Sequence, residues 1–320
     1  MRADAPLSPT DSVASERPPP LASSSAGEMA LRRLGRLLAD VAETSKPRVT
    51  IMVLVTTFVG FALATAPGTP LDLATLVHLL VGTALLAASS SVLNQVMERR
   101  FDGLMARTEN RPLAAGRWDP RGAVWVSVIG AAGAAVYLAL CVGVLPALLG
   151  VATLLLYLLL YTPLKRRTPW SLAVGAVAGA MPPLMGWTAA SGDVGPGAWI
   201  LFAVLFFWQV PHFHAIAWLY RGEYRRAGFR LLAVVETSGR AVAVETVGYA
   251  CALLAVSCAP GIFGLAGSRF LWVALPLGVA FLMLASWFAA RRDGLSARLL
   301  LYASLVYLPA FLITWVATEA

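Results

Sequence analysis

The length, composition and charge of this chain exclude a soluble globular protein. Of its 320 residues, 58% are hydrophobic and only 13% are charged, and the mean hydropathy is +0.73, whereas soluble domains carry about 25% charged residues. We therefore predict an all-α, polytopic membrane protein. The formal net charge of +8 would favour a nucleic-acid partner in a soluble protein, but in a membrane protein basic residues first report topology. The three cysteines lie in apolar segments without the spacing of a zinc site and are predicted to be small core residues.

The first 45 residues divide into two segments that precede the first apolar run. Residues 1–27 are rich in Pro, Ser and Ala and lack the apolar run of a signal peptide, which predicts a disordered cytosolic leader. In residues 28–45, leucines recur at helical spacing against arginines, the pattern of an amphipathic helix that lies in the membrane interface. Residues 46–320 are predicted to form one transmembrane domain.

Nine apolar segments are long enough to cross about 30 Å of hydrocarbon, and we predict nine transmembrane helices around a central cavity. In the fifth segment, Gly175 and Gly179 are predicted to allow close helix contact, and Pro182-Pro183 to kink the helix. The segments are 49–66, 75–97, 120–142, 146–162, 171–190, 198–220, 241–260, 268–290 and 297–318.

The basic residues fall on one side of these predicted helices. If successive segments cross in alternation, every Lys and Arg except Arg269 lies on the side of the N-terminal leader. The positive-inside rule then places the N-terminus and the charged active-site loops in the cytoplasm and the C-terminus outside, in what we predict to be the bacterial cytoplasmic (inner) membrane. Topology explains the net charge, so no nucleic-acid partner is expected.

The residues around the end of the second apolar segment carry the main chemical pattern. Asn94, Glu98 and Asp102 recur every four residues, which places them on one helical face. Hard cations such as Mg²⁺ bind carboxylates and bridge to substrate phosphates, so this acidic stripe predicts a metal–diphosphate site. Arg107 and Arg111 are predicted to bind the phosphates through their guanidinium groups. The alternative is a solvated cytosolic loop whose charges merely flank a membrane helix.

Two further charged segments lie on the same predicted side. Glu223 follows the sixth apolar segment and is predicted to face the acidic stripe across the bundle; the alternative is a surface charge. Lys165 and Arg166 lie in a turn between the fourth and fifth segments, where we predict that they neutralise a polyphosphate bridged to metal. The alternative for this turn is a topology signal and nothing more.

Two histidines lie in the sixth segment, where imidazoles are uncommon enough to be functional candidates. His212 and His214 point about 200° apart on a regular helix, so they would share a ligand only if Pro211 distorted the turn. One of them could be an axial haem ligand, or they could be packing residues. His78 is predicted to be structural. Glu245 lies about one turn inside the seventh segment, an expensive position that predicts a partner or an aqueous cavity.

An anionic metal site with basic clamps, opening into an aromatic-rich membrane cavity, suits reactions of polyprenyl diphosphates. The tail can lie among the helices while Mg²⁺, Arg and Lys stabilise the departing diphosphate. The resulting allylic cation needs protection from water and can be steadied by aromatic rings.

These segments resemble the protoheme IX farnesyltransferases, or haem O synthases, within the UbiA-type intramembrane prenyltransferases. The matching segments follow one another in family order over about residues 44–235, and the arginine-rich element with the Lys-Arg turn is specific to this branch. They are Lys46-Pro47-Arg48-Val49-Thr50, the block 94–112 with Arg107-Thr108 and Arg111-Pro112, Lys165-Arg166 with Thr168, the block 179–187, Pro211-His212-Phe213-His214, and Glu223-Tyr224-Arg225-Arg226-Ala227-Gly228.

The resemblance implies a UbiA-like fold and makes 46–320 a prenyltransferase domain. It implies transfer of a farnesyl group from farnesyl diphosphate to a vinyl group of haem B, with water addition to give haem O and with Mg²⁺ as cofactor. Haem O would serve terminal oxidases directly or as the precursor of haem A, so a haem A synthase or a terminal oxidase assembly is an expected partner besides the lipid bilayer.

The resemblance also implies residue roles, with two departures. Glu223 stands where the family commonly has Asp, and residues 229–232 replace a more apolar stretch that contains proline and methionine. The implied metal–diphosphate ligands are Asn94, Glu98, Asp102 and Glu223, the implied diphosphate clamps are Arg107, Arg111, Lys165 and Arg166, and the candidates for meeting haem are His212 and His214.

Two other functions are open on the residues alone. A sister prenyltransferase would act on an aromatic quinone precursor or a chlorophyll-type alcohol ester through the same diphosphate site. A transporter would also have nine spans and intramembrane charge, but transporters usually bind near the bilayer midplane, whereas these motifs cluster at one face.

Overall fold

Every regular element in the described part of the chain is a helix. The computed structural model describes residues 26–66 and 68–318. Residues 1–25 of the predicted leader therefore lie outside the described residues. α1 (Ala26–Thr44) contains residues 28–44 of the predicted amphipathic segment 28–45. Its apolar side chains are exposed: Leu31 is 70% exposed and Leu38 is 60% exposed. Such exposure is expected for a helix whose apolar face binds to a lipid surface.

The remaining helices follow in chain order, with one π-helical turn, Leu156–Tyr161, between the fifth and the sixth. They are α2 (Pro47–Ala64), α3 (Leu73–Asp102), α4 (Pro120–Cys141), α5 (Val144–Leu155), α6 (Thr162–Leu164), α7 (Ser171–Ala180), α8 (Pro182–Ser191), α9 (Pro196–Leu219), α10 (Arg221–Arg226), α11 (Leu232–Val235), α12 (Arg240–Ile262), α13 (Phe270–Arg291) and α14 (Gly294–Ala317).

Nine membrane-length spans are confirmed within the described ranges. The fourth span joins α5, the π turn and α6, and the fifth joins α7 and α8. The fifth span breaks at Met181, directly before Pro182-Pro183, because proline lacks the N–H that would continue the helix. α3 has 30 residues and extends past the predicted end at residue 97, so the acidic stripe belongs to the helix and not to a loop.

Glycines allow close helix contact in the fifth span, as predicted. A Cβ on Gly179 would lie 2.0 Å from Gln209 Oε1, and Gly175 is packed almost as closely against the ring of Tyr161. In α8, a Cβ on Gly186 would lie 1.9 Å from the carbonyl oxygen of Thr57 in α2. Backbone cannot move aside as a flexible side chain can, so only glycine permits this contact between α2 and α8.

An aromatic core packs between α13 and α14. The ring of Phe311 lies within 6.2 Å, centroid to centroid, of three other rings, those of Phe270, Tyr307 and Trp315. None of the four is more than 1% exposed. The indole of Trp315 donates a hydrogen bond to the carbonyl oxygen of Leu265 at 3.1 Å, so burial leaves its polar atom satisfied. These four rings are called the aromatic core below.

The prediction that the cysteines are core residues is wrong. Cys141 and Cys251 are exposed and Cys258 is only partly buried. A membrane-spanning helix is apolar on the side that faces lipid as well as on the side that faces the protein. An apolar sequence environment therefore does not distinguish a core cysteine from a peripheral one.

Candidate active site

α3 carries the acidic stripe to one end of the bundle and buries it there. Asn94, Glu98 and Asp102 are 1%, 7% and 2% exposed. They share one face because the helix continues without interruption to Asp102. Buried carboxylates are costly unless they are paired. The solvated-loop alternative therefore does not describe this segment.

Each carboxylate of the stripe is paired with a cation from another part of the chain. Lys165 Nζ donates to Glu98 Oε1 at 3.0 Å. Arg111 Nη1 lies 2.9 Å from both carboxylate oxygens of Asp102. The structure thus brings together four residues that the sequence predicted for one site, in two charge-assisted contacts. We call the two pairs, Lys165–Glu98 and Arg111–Asp102, the paired row.

Lys46 is a site residue to which reasoning from the sequence assigned no role. Its Nζ donates to Asn94 Oδ1 at 3.0 Å, and the Asn94 amide in turn donates to Thr162 Oγ1 at 3.0 Å. Lys46 has a φ of +49° and directly precedes α2. Burial, together with the positive charges of Arg111 and Lys165, lowers the pKa of Lys46 to about 7. The sequence feature that could have pointed to Lys46 is the Lys46-Pro47 pair at the start of the first span.

The turn after α6 contributes one of its two predicted cations to the paired row. Lys165 Nζ also lies 4.4 Å from the ring centroid of Tyr161. Burial acts to lower the pKa of Lys165, but Tyr161 and Glu98 outweigh it, and the pKa lies above its ordinary value. Arg166 is exposed and its guanidinium stacks 4.1 Å from the ring centroid of Phe101. It lies beside the paired row and is held by an aromatic ring.

Arg107 joins the loop after α3 to the segment that carries Glu223. It donates to the hydroxyl of Tyr224 at 3.2 Å and lies 5.4 Å and 5.9 Å from the ring centroids of Tyr220 and Tyr224. Glu223 Oε2 is buried and has no hydrogen-bond partner among the residues the structure describes. A buried carboxylate oxygen without a partner is costly, and a bound cation would satisfy it.

The donor atoms suit a hard cation that is bound together with a phosphate. Asn94, Glu98, Asp102 and Glu223 offer amide and carboxylate oxygens, the ligands that Mg²⁺ prefers. Within residues 26–66 and 68–318, no group of three or more His, Cys, Asp and Glu could hold a metal ion by itself. Mg²⁺ usually takes one or two carboxylates together with substrate phosphates, so these residues fit an ion that is bridged to a diphosphate.

Comparison with known proteins assigns the family. The sequence pattern of the UbiA prenyltransferase family matches residues 53–317. This chain belongs to the UbiA prenyltransferase family. Among its relatives, the protoheme IX farnesyltransferase of Solibacter usitatus (strain Ellin6076) is 41% identical over 279 residues, which cover 85% of this chain and 96% of the relative. The mitochondrial protoheme IX farnesyltransferase of Arabidopsis thaliana is 37% identical over 271 residues, covering 84% of this chain and 62% of the relative.

Two solved structures share the fold at low sequence identity. A UbiA homologue from Archaeoglobus fulgidus bound to GPP and Mg²⁺ superposes with a TM-score of 0.65 at 16% identity, covering 86% of this chain and 99% of that one. A digeranylgeranylglyceryl phosphate synthase superposes with a TM-score of 0.74 at 14% identity, covering 88% and 98%. The predicted all-α, UbiA-like fold of an integral membrane protein is confirmed.

The two histidines of α9 face different neighbours in this UbiA protein. His212 Nδ1 lies 2.7 Å from Ser304 Oγ on α14, and its ring stacks on Trp208. His214 has no exposed surface, and its Nδ1 lies 3.0 Å from Thr246 Oγ1 on α12. The prediction that the two imidazoles do not share one ligand position agrees with this geometry.

The other two intramembrane groups singled out in the sequence also have defined surroundings. His78 Nδ1 lies 2.6 Å from the hydroxyl of Tyr137 and joins α3 to α4, which supports the predicted structural role. Glu245 Oε2 lies 3.4 Å from His214 Nε2, and Glu245 lines a small cavity. The prediction of a partner or a cavity for Glu245 is confirmed.

Proposed function

We propose that this protein transfers a farnesyl group from farnesyl diphosphate to a vinyl group of haem B, with addition of water, and so makes haem O. The observation that carries the proposal is the buried row of carboxylate–cation pairs at one end of the bundle, in a chain 41% identical to a protoheme IX farnesyltransferase. Buried ion pairs contribute little to stability, so we attribute the pairs to binding of a charged substrate.

The cations of the paired row would bind the diphosphate. Lys165 and Arg111 now contact carboxylates and would turn toward the diphosphate oxygens, with Lys46, which donates to Asn94 on the same face of α3, as a third donor. Arg107 and Arg166 are already positioned by aromatic rings and would add guanidinium groups at the rim. Together they would stabilise the negative charge that grows on the diphosphate as the carbon–oxygen bond breaks.

The metal would be held through the diphosphate by Asn94, Glu98, Asp102 and Glu223. When it is bound, Mg²⁺ supplies Lewis-acid stabilisation of the leaving group. Glu223 is longer by one methylene than the Asp usual at this position, and its buried Oε2 has no partner among the described residues, which supports a role as a ligand.

The acceptor side must keep the farnesyl cation from water until the vinyl group attacks. Tyr157 and Tyr161 lie beside the basic turn with ring centroids 5.5 Å apart, and their faces would steady an allylic cation. A bond forms between the farnesyl carbon and the vinyl carbon as the diphosphate leaves; water then adds to the new cation and loses a proton. His212 is the better candidate for haem contact, because His214 has no exposed surface.

The cellular setting is part of the same proposal. The distribution of Lys and Arg supports a bacterial inner-membrane protein with its site toward the cytoplasm and its C-terminus outside. Residues 1–27 would form a leader, 28–45 an interfacial helix and 46–320 the catalytic domain. Haem O released here would pass to a haem A synthase or to a terminal oxidase assembly.

The decisive experiment is an incubation of the purified, detergent-solubilised protein with haem B, farnesyl diphosphate and Mg²⁺, followed by mass analysis of the extracted haem. We expect a product heavier by one farnesyl group plus one hydroxyl group, and no product in EDTA. Prenylation of 4-hydroxybenzoate with no change in haem would overturn the haem assignment and support a sister prenyltransferase. Uptake of substrate by proteoliposomes without a covalent product would support a transporter.

Haem contact by His212 has its own test. The absorption spectrum of haem bound to His212→Ala should differ from that of haem bound to the wild type, because an axial nitrogen ligand is lost. His214→Ala is the matched control from the same helix and should leave the haem spectrum unchanged. Identical spectra for all three proteins would reject ligation by His212.

A further inference from the structure

A second polar site lies outside the proposed active site, in a cavity of about 120 Å³ between α7, α9 and α12. Glu245 and Tyr249 line it from α12, four residues apart and therefore on one helical face. Trp170, the residue directly before α7, also lines it, as does Leu232 from α11. The Glu245 side chain is 38% exposed, so a ligand can reach its carboxylate.

A buried histidine, His214, points its second ring nitrogen at the Glu245 carboxylate. The hydroxyl of Thr246 donates to the carbonyl oxygen of Val242 at 2.7 Å, so His214 Nδ1 must be the donor to Thr246. His214 Nε2 is then aimed at Glu245 Oε2, 3.4 Å away, and makes no hydrogen bond to any described residue. With Nδ1 as the donor, Nε2 of the neutral imidazole is an acceptor and donates nothing to the carboxylate, which leaves both carboxylate oxygens for an N–H donor in the cavity.

The lining determines the charge of that ligand. A carboxylate and two aromatic rings attract a cation, the rings through their negative faces, and no Lys or Arg is among the residues that line the cavity. An anion would be repelled by the Glu245 carboxylate, and no basic side chain in the lining would offset that repulsion. The small volume favours a compact group whose N–H bonds can be donated to a carboxylate oxygen, which is the chemistry of a primary ammonium.

The depth of the site points to a lipid as the source of that ammonium. Glu245 is five residues into α12 from Arg240, about 7.5 Å along the helix, and Trp170 is 69% exposed, as aromatic residues are at a membrane interface. Exposed Arg167 and Arg230 lie within two residues of lining positions in the sequence, where they would suit the phosphate of the same headgroup.

We propose that this cavity, which we call the Glu245 cavity, binds the primary ammonium of a phosphatidylethanolamine headgroup, with Glu245 as the acceptor and Trp170 and Tyr249 as aromatic walls. The proposal does not depend on the prenyl-transfer reaction, because none of these residues belongs to the paired row.

Native mass spectrometry of the delipidated full chain tests the proposal. The protein is titrated with phosphatidylethanolamine, phosphatidylcholine and phosphatidylglycerol of identical acyl chains. We expect phosphatidylethanolamine to bind about tenfold more tightly than the other two. Equal binding of phosphatidylcholine overturns the assignment of a primary ammonium, and equal binding of phosphatidylglycerol overturns a cation site. Soluble phosphoethanolamine that binds as tightly as the lipid would identify a free amine as the ligand and overturn the lipid assignment.

Two variants localise the binding. Glu245→Gln keeps the shape of the side chain and should remove the tenfold preference, whereas Asp193→Asn, the same charge change in an exposed loop, should keep it. If Glu245→Gln does not fold, Trp170→Leu gives the same test, because this exposed side chain can be replaced without disturbing the interior; it too should weaken phosphatidylethanolamine binding. An unchanged preference in either folded variant overturns the proposal.

Discussion

Two regions of this molecule bury side chains of opposite chemistry. In the paired row, Glu98 and Asp102 are buried with Lys165 and Arg111 as partners. In the aromatic core, the buried groups are rings, and their few polar atoms are satisfied locally. Removing charges from water costs free energy that their attraction barely repays, whereas packing rings together is favourable. Burial alone therefore does not separate scaffold from site; the chemistry of what is buried does.

The largest effect on activity should come from the paired row. Asp102→Asn removes a carboxylate charge from the proposed metal–diphosphate site, and we expect kcat to fall by about a thousandfold. The fold should remain, because the freed Arg111 is partly exposed and can be hydrated. The measurement is steady-state haem O formation, with thermal unfolding as the check on folding.

Glu109→Gln is the control for this change, since Glu109 is an exposed carboxylate in the loop that follows α3 and should leave kcat unaltered. Wild-type activity in Asp102→Asn would remove Asp102 from the site.

The aromatic core should show the reverse pattern. Phe311→Ala leaves a cavity among three rings, and we expect a loss of about 3–4 kcal/mol in the free energy of unfolding, with near-normal kcat in the protein that remains folded. Ile313→Ala is the control on the same helix, because Ile313 is 68% exposed and its loss should change stability little. A loss of kcat without a loss of stability in Phe311→Ala would contradict the scaffold role.

A smaller effect is expected when one cation of the paired row is removed. Lys165→Ala should raise the KM for farnesyl diphosphate by about tenfold to a hundredfold, the value of one charged hydrogen bond to a ligand. Arg167→Ala is the matched control, an exposed cation in the same turn. If KM is the same in both variants, the diphosphate role of the turn is wrong, and the turn is only a signal for membrane topology.

The smallest effect should come from the exposed ion pairs around Arg117. Arg117 Nη2 lies 2.8 Å from Asp40 Oδ1, but 42% of the arginine side chain is exposed. Solvent and salt screen such pairs, so Arg117→Ala should lower the unfolding temperature by no more than about 3 °C, and less in high salt. Exposed Arg121 offers the control Arg121→Ala. A large shift would show that the pair holds the loop of Arg107 and Arg111 in place.

Local patterns in the sequence determined the spans and the stripe. Apolar runs determined the nine membrane spans of the described residues. Pro182-Pro183 determined the break in the fifth span, and the spacing of Asn94, Glu98 and Asp102 put them on one face. These features depend only on residues that are neighbours in the chain, and helical periodicity converts their spacing directly into direction.

Tertiary structure alone decided which groups are buried and which are paired. Lys46 and Asn94 are 48 residues apart, Lys165 and Glu98 are 67 apart, and His214 meets Glu245 from a different helix. The same limit explains the exposed cysteines, because an apolar residue in a membrane helix can face either lipid or protein. Which side it faces depends on how helices distant in sequence pack, and no local pattern encodes that.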